Sequence, residues 1–162
     1  MKFSLNIIAL ALLTNSLLSA KVSADGLAVD KVYHPYVLPN EREVEWRLNS
    51  HQKGSKSAGY KALGQRVAYG QAISENIMLE GYLVGERDEL GDFSLSAYEI
   101  EMRWMLTEQG KYWSDWGLLF EIEKEHQADN WELTSGVLME KEFGRTSLTL
   151  NAFIIYEWGE SL

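Results

Sequence analysis

Apolar and polar side chains alternate along much of the chain beyond residue 40. Between Tyr98 and Leu106 every even position is apolar, and Glu99, Glu101 and Arg103 occupy odd positions between them. A helix would spread these residues around its whole circumference and bury charge, whereas a strand sends them to opposite faces. The pattern therefore predicts β-strands that have one apolar and one charged face.

Seven strands account for this alternation and for two less regular stretches. They are expected near residues 42–49, 61–73, 76–86, 93–106, 115–124, 130–141 and 145–158. Most links between them are short and carry turn-forming Gly, Asp and Asn, which is typical of hairpins. No link could hold a crossover helix, so a parallel α/β fold is excluded. The sequence predicts an all-β, antiparallel, up-and-down sheet that closes into a barrel of about seven or eight strands.

The first 24 residues have the features of a secretory signal peptide. Lys2 supplies the positive start, and the mostly apolar stretch 5–18 is shorter than the roughly 20 residues that span a bilayer. A small-x-small pattern favours cleavage after Ala24, with an earlier cut after Ala20 or an uncleaved anchor as alternatives. The predicted organisation is a signal peptide (1–24), a periplasmic N-terminal lead (25–40) and a β-barrel domain (41–162).

Alternation alone does not say which face of such a sheet points inward. In an outer-membrane barrel the apolar face contacts lipid and the polar face fills the lumen. In a soluble, periplasmic lipocalin-like barrel the apolar face lines a cavity for an apolar ligand. Long strands, aromatic residues near the ends of apolar faces and charges of both signs on the polar faces favour the membrane barrel.

The two interpretations assign roles to different residues. The expected lumen-lining residues are Glu43, Glu45, Arg47, Arg66, Glu99, Glu101, Arg103, Glu121, Glu123 and Glu140. The expected aromatic belt consists of Trp46, Trp104, Trp116, Trp131, Tyr156 and Trp158. In the lipocalin-like alternative the cavity would be lined by Met102, Phe120, Ile122 and Leu150.

The pattern of strands, aromatic ends and short turns over residues 41–158 resembles a bacterial outer-membrane β-barrel protein. The segment from Lys31 to Arg47, KVYHPYVLPNEREVEWR, looks like the start of uncharacterised, porin-like barrels of this kind. The resemblance implies the outer membrane of a Gram-negative bacterium, outer-membrane lipid as a partner and insertion by the barrel assembly machinery.

Two features depart from this family. Such barrels usually end on an aromatic residue, whereas this sequence ends at Leu162. They also have even strand numbers, and seven is odd. Either an eighth strand lies within residues 25–40, or the chain is a shortened version of a larger barrel. Pro35 and Pro39 favour the second explanation, because proline disrupts sheet hydrogen bonding.

Composition narrows the chemistry further. The net charge of -9 disfavours nucleic-acid binding, which needs a basic surface. The absence of cysteine excludes disulfides and thiolate sites. The histidines lack metal-ligand spacing, and no cofactor motif is present. We therefore expect a non-enzymatic barrel with a structural role or a role in passive passage of small solutes. A membrane-embedded lipid hydrolase using Ser94 or Glu121 is a weaker alternative, and the oligomeric state is left open.

Overall fold

The computed structural model describes residues 31–53, 60–87 and 91–160, and β-strands make up most of them. The seven strands are β1 (Arg42–Lys53), β2 (Tyr60–Ala72), β3 (Ile77–Arg87), β4 (Phe93–Met105), β5 (Asp115–Glu125), β6 (Asn130–Phe143) and β7 (Thr146–Gly159). The predicted signal peptide lies outside the described residues. Within the described ranges, no helix is long and apolar enough to cross a membrane.

The strands form one sheet in the order β1-β2-β3-β4-β5-β6-β7, and every neighbouring pair is antiparallel. The all-β, up-and-down prediction is therefore confirmed. The predicted closure into a barrel is not confirmed, because β1 and β7 do not pair and the sheet is open in the part of the chain that the structure describes. As both are odd-numbered strands of a meander, they run in the same direction. Direct closure would need a parallel pair, unlike every other pair in the sheet.

Residues 31–40, here called the lead segment, form no strand. The hypothesis of an eighth strand within residues 25–40 is thus wrong for the ten described positions, while residues 25–30 lie outside the description. The two prolines explain the result, because each lacks a backbone N–H for a ladder hydrogen bond. The lead segment runs along one face of the sheet, which we call the inner face.

The sheet curves around the lead segment. The backbone N–H of Tyr33 donates to Asn151 Oδ1 on β7 at 3.0 Å, and the Tyr33 side chain lies close enough to Glu101 on β4 for this carboxyl group to raise the tyrosine pKa. Strands three positions apart lie roughly 14 Å apart in a flat sheet. Because one tyrosine lies close to both strands, and Arg66 on β2 reaches Glu99 on β4 across β3, the inner face is concave and the opposite, outer face is convex.

A small apolar core lies between the lead segment and the inner face. Val37 packs with Ala72 and Met78, and Met105 borders this cluster. Further along the inner face, Leu119 and Leu138 are completely buried, as are the side chains of Glu80, Glu99 and Glu101. The core thus anchors the lead segment at the end of the sheet where β1 begins.

Candidate functional site: the charged inner face

The inner face brings together all ten residues that the sequence predicts as lumen-lining. Glu99, Glu101 and Glu140 are buried, and the other seven are half-buried. Their common face follows from alternation, because residues opposite one another in an antiparallel ladder share a face. The structure therefore places them on one concave surface, as the strand period predicts.

Nine glutamates on this face form two adjacent rows across the sheet, which we call the carboxyl band. The first row contains Glu43, Glu80, Glu101 and Glu121, and the second contains Glu45, Glu99, Glu123, Glu132 and Glu157. Within each row, register partners such as Glu101 and Glu121 are directly opposite each other. Side chains in such positions have Cβ atoms about 5 Å apart. The band therefore concentrates acidic groups in a partly enclosed space.

Three arginines flank the carboxyl band. The Arg66 Nη2 atom lies 2.8 Å from Glu99 Oε1, and the Glu99 side chain has no exposed surface. Arg47 forms an ion pair with Glu45 and lies over the ring of Tyr82, with 5.5 Å from Cζ to the centroid. On the other side of the band, Arg103 Nη2 lies 3.8 Å from Glu80 Oε2.

Neutral hydrogen-bond donors supplement these arginines. The Tyr82 hydroxyl donates to Glu80 Oε2 at 3.0 Å, and the Thr134 hydroxyl donates to Glu132 Oε1 at 3.1 Å. Even so, three guanidinium groups face nine carboxyl groups. A concave surface with this imbalance concentrates positive counter-ions, because low-dielectric walls focus the field of the charges. Its chemistry favours cations over anions.

The lead segment attaches to the inner face through polar contacts on three strands. The two Tyr33 backbone groups bond to the Asn151 amide on β7, at 3.0 and 2.9 Å. His34 Nδ1 lies 2.5 Å from Glu140 Oε2 on β6, and the Tyr36 hydroxyl donates to Asp115 Oδ2 on β5 at 3.0 Å. These contacts hold successive residues of the lead segment across the sheet.

Two lead-segment tyrosines remain protonated well beyond neutral pH. Burial, with the neighbouring Glu101 carboxyl group, raises the pKa of Tyr33 far above its ordinary value. Burial and the hydrogen bond to Asp115 raise the pKa of Tyr36 in the same direction. Both hydroxyls are therefore kept as donors toward the acidic inner face.

Several inner-face residues were not predicted from the sequence. Glu80 and Tyr82 lie on β3, whose two faces are both largely apolar, so its orientation is ambiguous from the pattern. Glu132 and Glu157 follow the alternation of their strands and could have been included by parity alone. The lead segment has no period, and only the structure reveals that it enters the inner face.

The outer face carries the six residues predicted as an aromatic belt. Five of them have more than a third of their surface exposed: Trp46 66%, Trp104 38%, Trp116 39%, Tyr156 65% and Trp158 36%. Trp131 is half-buried against Trp158. One detail differs from the prediction. Trp46 lies in the interior of β1, between Val44 and Leu48, and not at an end of the apolar face.

The aromatic residues fall at both ends of the outer face. Trp104 and Trp116 lie at the end where β4 finishes and β5 begins. Trp131 and Trp158 lie at the opposite end and stack with their ring centroids 6.2 Å apart. Lys124 lies over the Trp131 ring at 4.9 Å.

The apolar residues that would line a lipocalin-like cavity also lie on the outer face. Phe120, Ile122 and Leu150 are 36%, 36% and 51% exposed, and Met102 is half-buried. These four side chains therefore lie on the face opposite the carboxyl band and the lead segment.

The remaining candidate chemistry is sparse. The Ser96 hydroxyl donates to the Val84 carbonyl at 3.1 Å, beside a β-bulge, and Ser94 is exposed. His126 Nδ1 lies 3.0 Å from the Tyr98 hydroxyl, while the side chain of His51 lies outside the description. The described residues contain no group of three or more His, Asp or Glu side chains placed to hold a metal ion.

Comparison with known proteins gives no family assignment. No protein-family model matches the chain, no curated protein matches it, and no solved structure matches it.

Proposed function

We propose that this chain forms a wall of an outer-membrane β-barrel in a Gram-negative bacterium. In this proposal the outer face contacts lipid, and the inner face lines a charged interior. The role is structural or serves the passive passage of small solutes, with cations favoured by the carboxyl band. The resemblance of the sequence to outer-membrane barrels supports the same assignment.

The observation that carries this proposal is the inverted burial of the sheet. Large apolar side chains such as Val44 (78% exposed) and Ile154 (77% exposed) cover the outer face, while Glu80, Glu99 and Glu101 are at most 2% exposed. Water-soluble proteins rarely expose such a continuous apolar surface. Lipid-facing strands have this arrangement, with apolar residues outward and polar residues inward.

The apolar side chains of the outer face form a stripe across the sheet, from Val44–Leu48 on β1 to Leu148–Trp158 on β7, and the slant of this outer apolar stripe gives independent support. On β1 the stripe starts at Val44, whose register position on β7 is Tyr156. On β7 the stripe starts at Leu148, eight residues before Tyr156. At its other end the stripe finishes at Leu48 on β1 and at Trp158 on β7. Because Trp158 is level with Trp46, the stripe on β7 finishes two residues before the position level with Leu48, which is a shift in the same direction.

The mean shift is about five residues over six strand steps. At about 3.3 Å per residue and 4.8 Å per strand, this corresponds to strands inclined by roughly 30° to the line perpendicular to the stripe, which would be the membrane normal. Strands of membrane barrels are tilted by about 35–45°. The ten-residue distance from Leu148 to Trp158 is about 33 Å along β7, or roughly 29 Å in height at that tilt, near the ≈ 25 Å apolar band of such barrels.

Cell fractionation tests this proposal. The full-length chain is expressed in a Gram-negative host, and membranes are washed with urea to remove aggregates. We expect the chain in the washed outer-membrane fraction and, on an SDS gel, a faster band before boiling than after boiling. A washed membrane band without this shift would keep the membrane wall but show that the chain does not close by itself. A soluble periplasmic band would overturn the proposal in favour of a soluble binder.

A further inference from the structure

We propose that the lead segment is a removable strap that closes the carboxyl band at the end of the sheet where β1 begins, and that its displacement admits small inorganic cations. This inference rests on the proposed function, because it assigns a regulated passage to the same inner face.

The position of the strap supports closure. Pro35 is completely buried and packs so closely on β5 that a Cβ atom added at Gly117 would lie 3.0 Å from Pro35 Cβ. Two positions further on, Val37 covers Met78. These contacts lie on the side of the carboxyl band toward the start of β1, where the strap fills the concavity. The Tyr33 hydroxyl reaches into the band at Glu101.

The mode of attachment makes the strap separable from the sheet. Among the described residues, the lead segment shares no backbone ladder with any strand. It is held by side-chain contacts to Asn151, Glu140 and Asp115 and by the apolar packing of Pro35 and Val37. Each strand, in contrast, is held to its neighbour by a ladder of nine to fourteen residue pairs. Displacing the strap therefore leaves the sheet's own hydrogen bonds intact.

The chemistry of the opened space points to cations. Glu101 faces the strap directly, and Glu121 and Glu80 lie beside it in the same row. Arg103 is the nearest cationic side chain on the adjacent inner row. Rings of acidic side chains select cations in pores.

The experiment first measures docking of the strap itself. The chain has no cysteine, so single cysteines introduced as Pro35→Cys or Val32→Cys report one position each. Val32 is 56% exposed and serves as the freely reacting reference. We expect a polar maleimide to label Pro35→Cys slowly in detergent, and at least tenfold faster once Asn151→Ala is added. The matched variant Asn130→Ala should leave the labelling rate unchanged, because Asn130 lies at the start of β6, away from the strap.

Conductance then tests the passage. The same proteins are inserted into planar phospholipid bilayers with potassium chloride on both sides at unequal concentrations. We expect low conductance for the native chain and for Asn130→Ala. For Asn151→Ala we expect at least a fivefold higher, potassium-selective conductance. Adding Pro35→Cys and Gly117→Cys to Asn151→Ala should abolish this conductance under oxidising conditions, and a reductant should restore it, because the two Cβ positions are close enough for a disulfide with a small adjustment.

The outcomes separate this inference from the function on which it rests. Unchanged labelling of Pro35→Cys in Asn151→Ala would overturn the removable strap. Faster labelling without higher conductance, in a protein that inserts and shows the boiling shift, would overturn gating while keeping the barrel. Chloride selectivity would overturn the assignment of cations. Failure to insert would overturn both proposals together.

Discussion

At the scale of single residues, the pair of Arg66 and Glu99 is the most direct test of the inner face. Their side chains meet at 2.8 Å, and the Glu99 side chain is fully buried. Removing one partner of a buried ion pair leaves an uncompensated charge, which costs about 3–5 kcal/mol. Because Arg66 retains 24% exposure, we expect Arg66→Ala to lower the free energy of unfolding by about 3 kcal/mol, measured by urea titration in detergent.

Arg42→Ala is the matched control for this variant. Arg42 is exposed at the start of β1 and belongs to the outer face, so its loss should change the free energy of unfolding by less than about 0.5 kcal/mol. The double variant Arg66→Ala/Glu99→Gln should recover part of the loss, because no buried charge then lacks its partner. Equal losses for the two arginine variants would contradict a buried pair.

Sequence alone predicted the face of these residues but not their pairing. Alternation assigns Glu99 and Arg103 to one face whatever the register of the strands. The Arg66–Glu99 contact joins strands two positions apart, so it depends on the registers of two ladders and on curvature. Tyr33 lies in a segment without a period, and no pattern could have placed it beside Glu101.

At the scale of elements, strands with a clean alternation were predicted to within a few residues. The predicted and observed strands differ where the alternation of apolar and polar residues is absent. β1 continues past residue 49 through polar residues on both faces, and its end is set by pairing with the start of β2. The two faces of β3 have similar hydrophobicity, and its inward face is fixed by its neighbours: Glu80 lies between Gly70 and Glu101 in one row.

Gly70 explains how Glu80 fits into this row. A Cβ atom at Gly70 would lie 2.7 Å from both Glu80 Cγ and Met78 Cε, whereas one at Gly81 would meet nothing within 4 Å. We expect Gly70→Val to lower the free energy of unfolding by about 1–3 kcal/mol through overpacking of the inner face. Gly81→Val, on the outer face of the neighbouring strand, should be neutral or slightly stabilising, because valine favours strands.

Urea unfolding under identical detergent conditions measures both glycine variants. A loss for Gly81→Val as large as that for Gly70→Val would show that both positions need glycine for backbone reasons. The dense packing of Glu80 and Met78 against β2 would then not be the cause.

At the scale of the whole molecule, the order of the strands was predictable and the closure of the sheet was not. Short links force sequence neighbours to be neighbours in the sheet. Closure depends on what pairs with the edges of β1 and β7, and the sequence of neither strand indicates its pairing partner. Alternation also leaves the choice between lipid and a cavity open, whereas the direction of curvature makes the charged face concave.

The proposed lipid-facing role of the outer face predicts that an arginine placed there destabilises the protein by an amount that depends on its depth in the membrane. Ile154 and Leu148 lie on the same strand and the same face, are 77% and 46% exposed, and occupy the middle and the start of the apolar stripe on β7. An arginine facing lipid costs about 2–4 kcal/mol at the bilayer midplane and about 0–1 kcal/mol near the interface. We therefore expect Ile154→Arg to destabilise the protein in phospholipid vesicles by several-fold more than Leu148→Arg, measured by urea unfolding.

In water both sites are exposed, and neither arginine would lower the free energy of unfolding by more than about 0.5 kcal/mol. Equal, small effects of the two arginines in vesicles would therefore be incompatible with a membrane wall, because only a lipid environment distinguishes the two positions by depth.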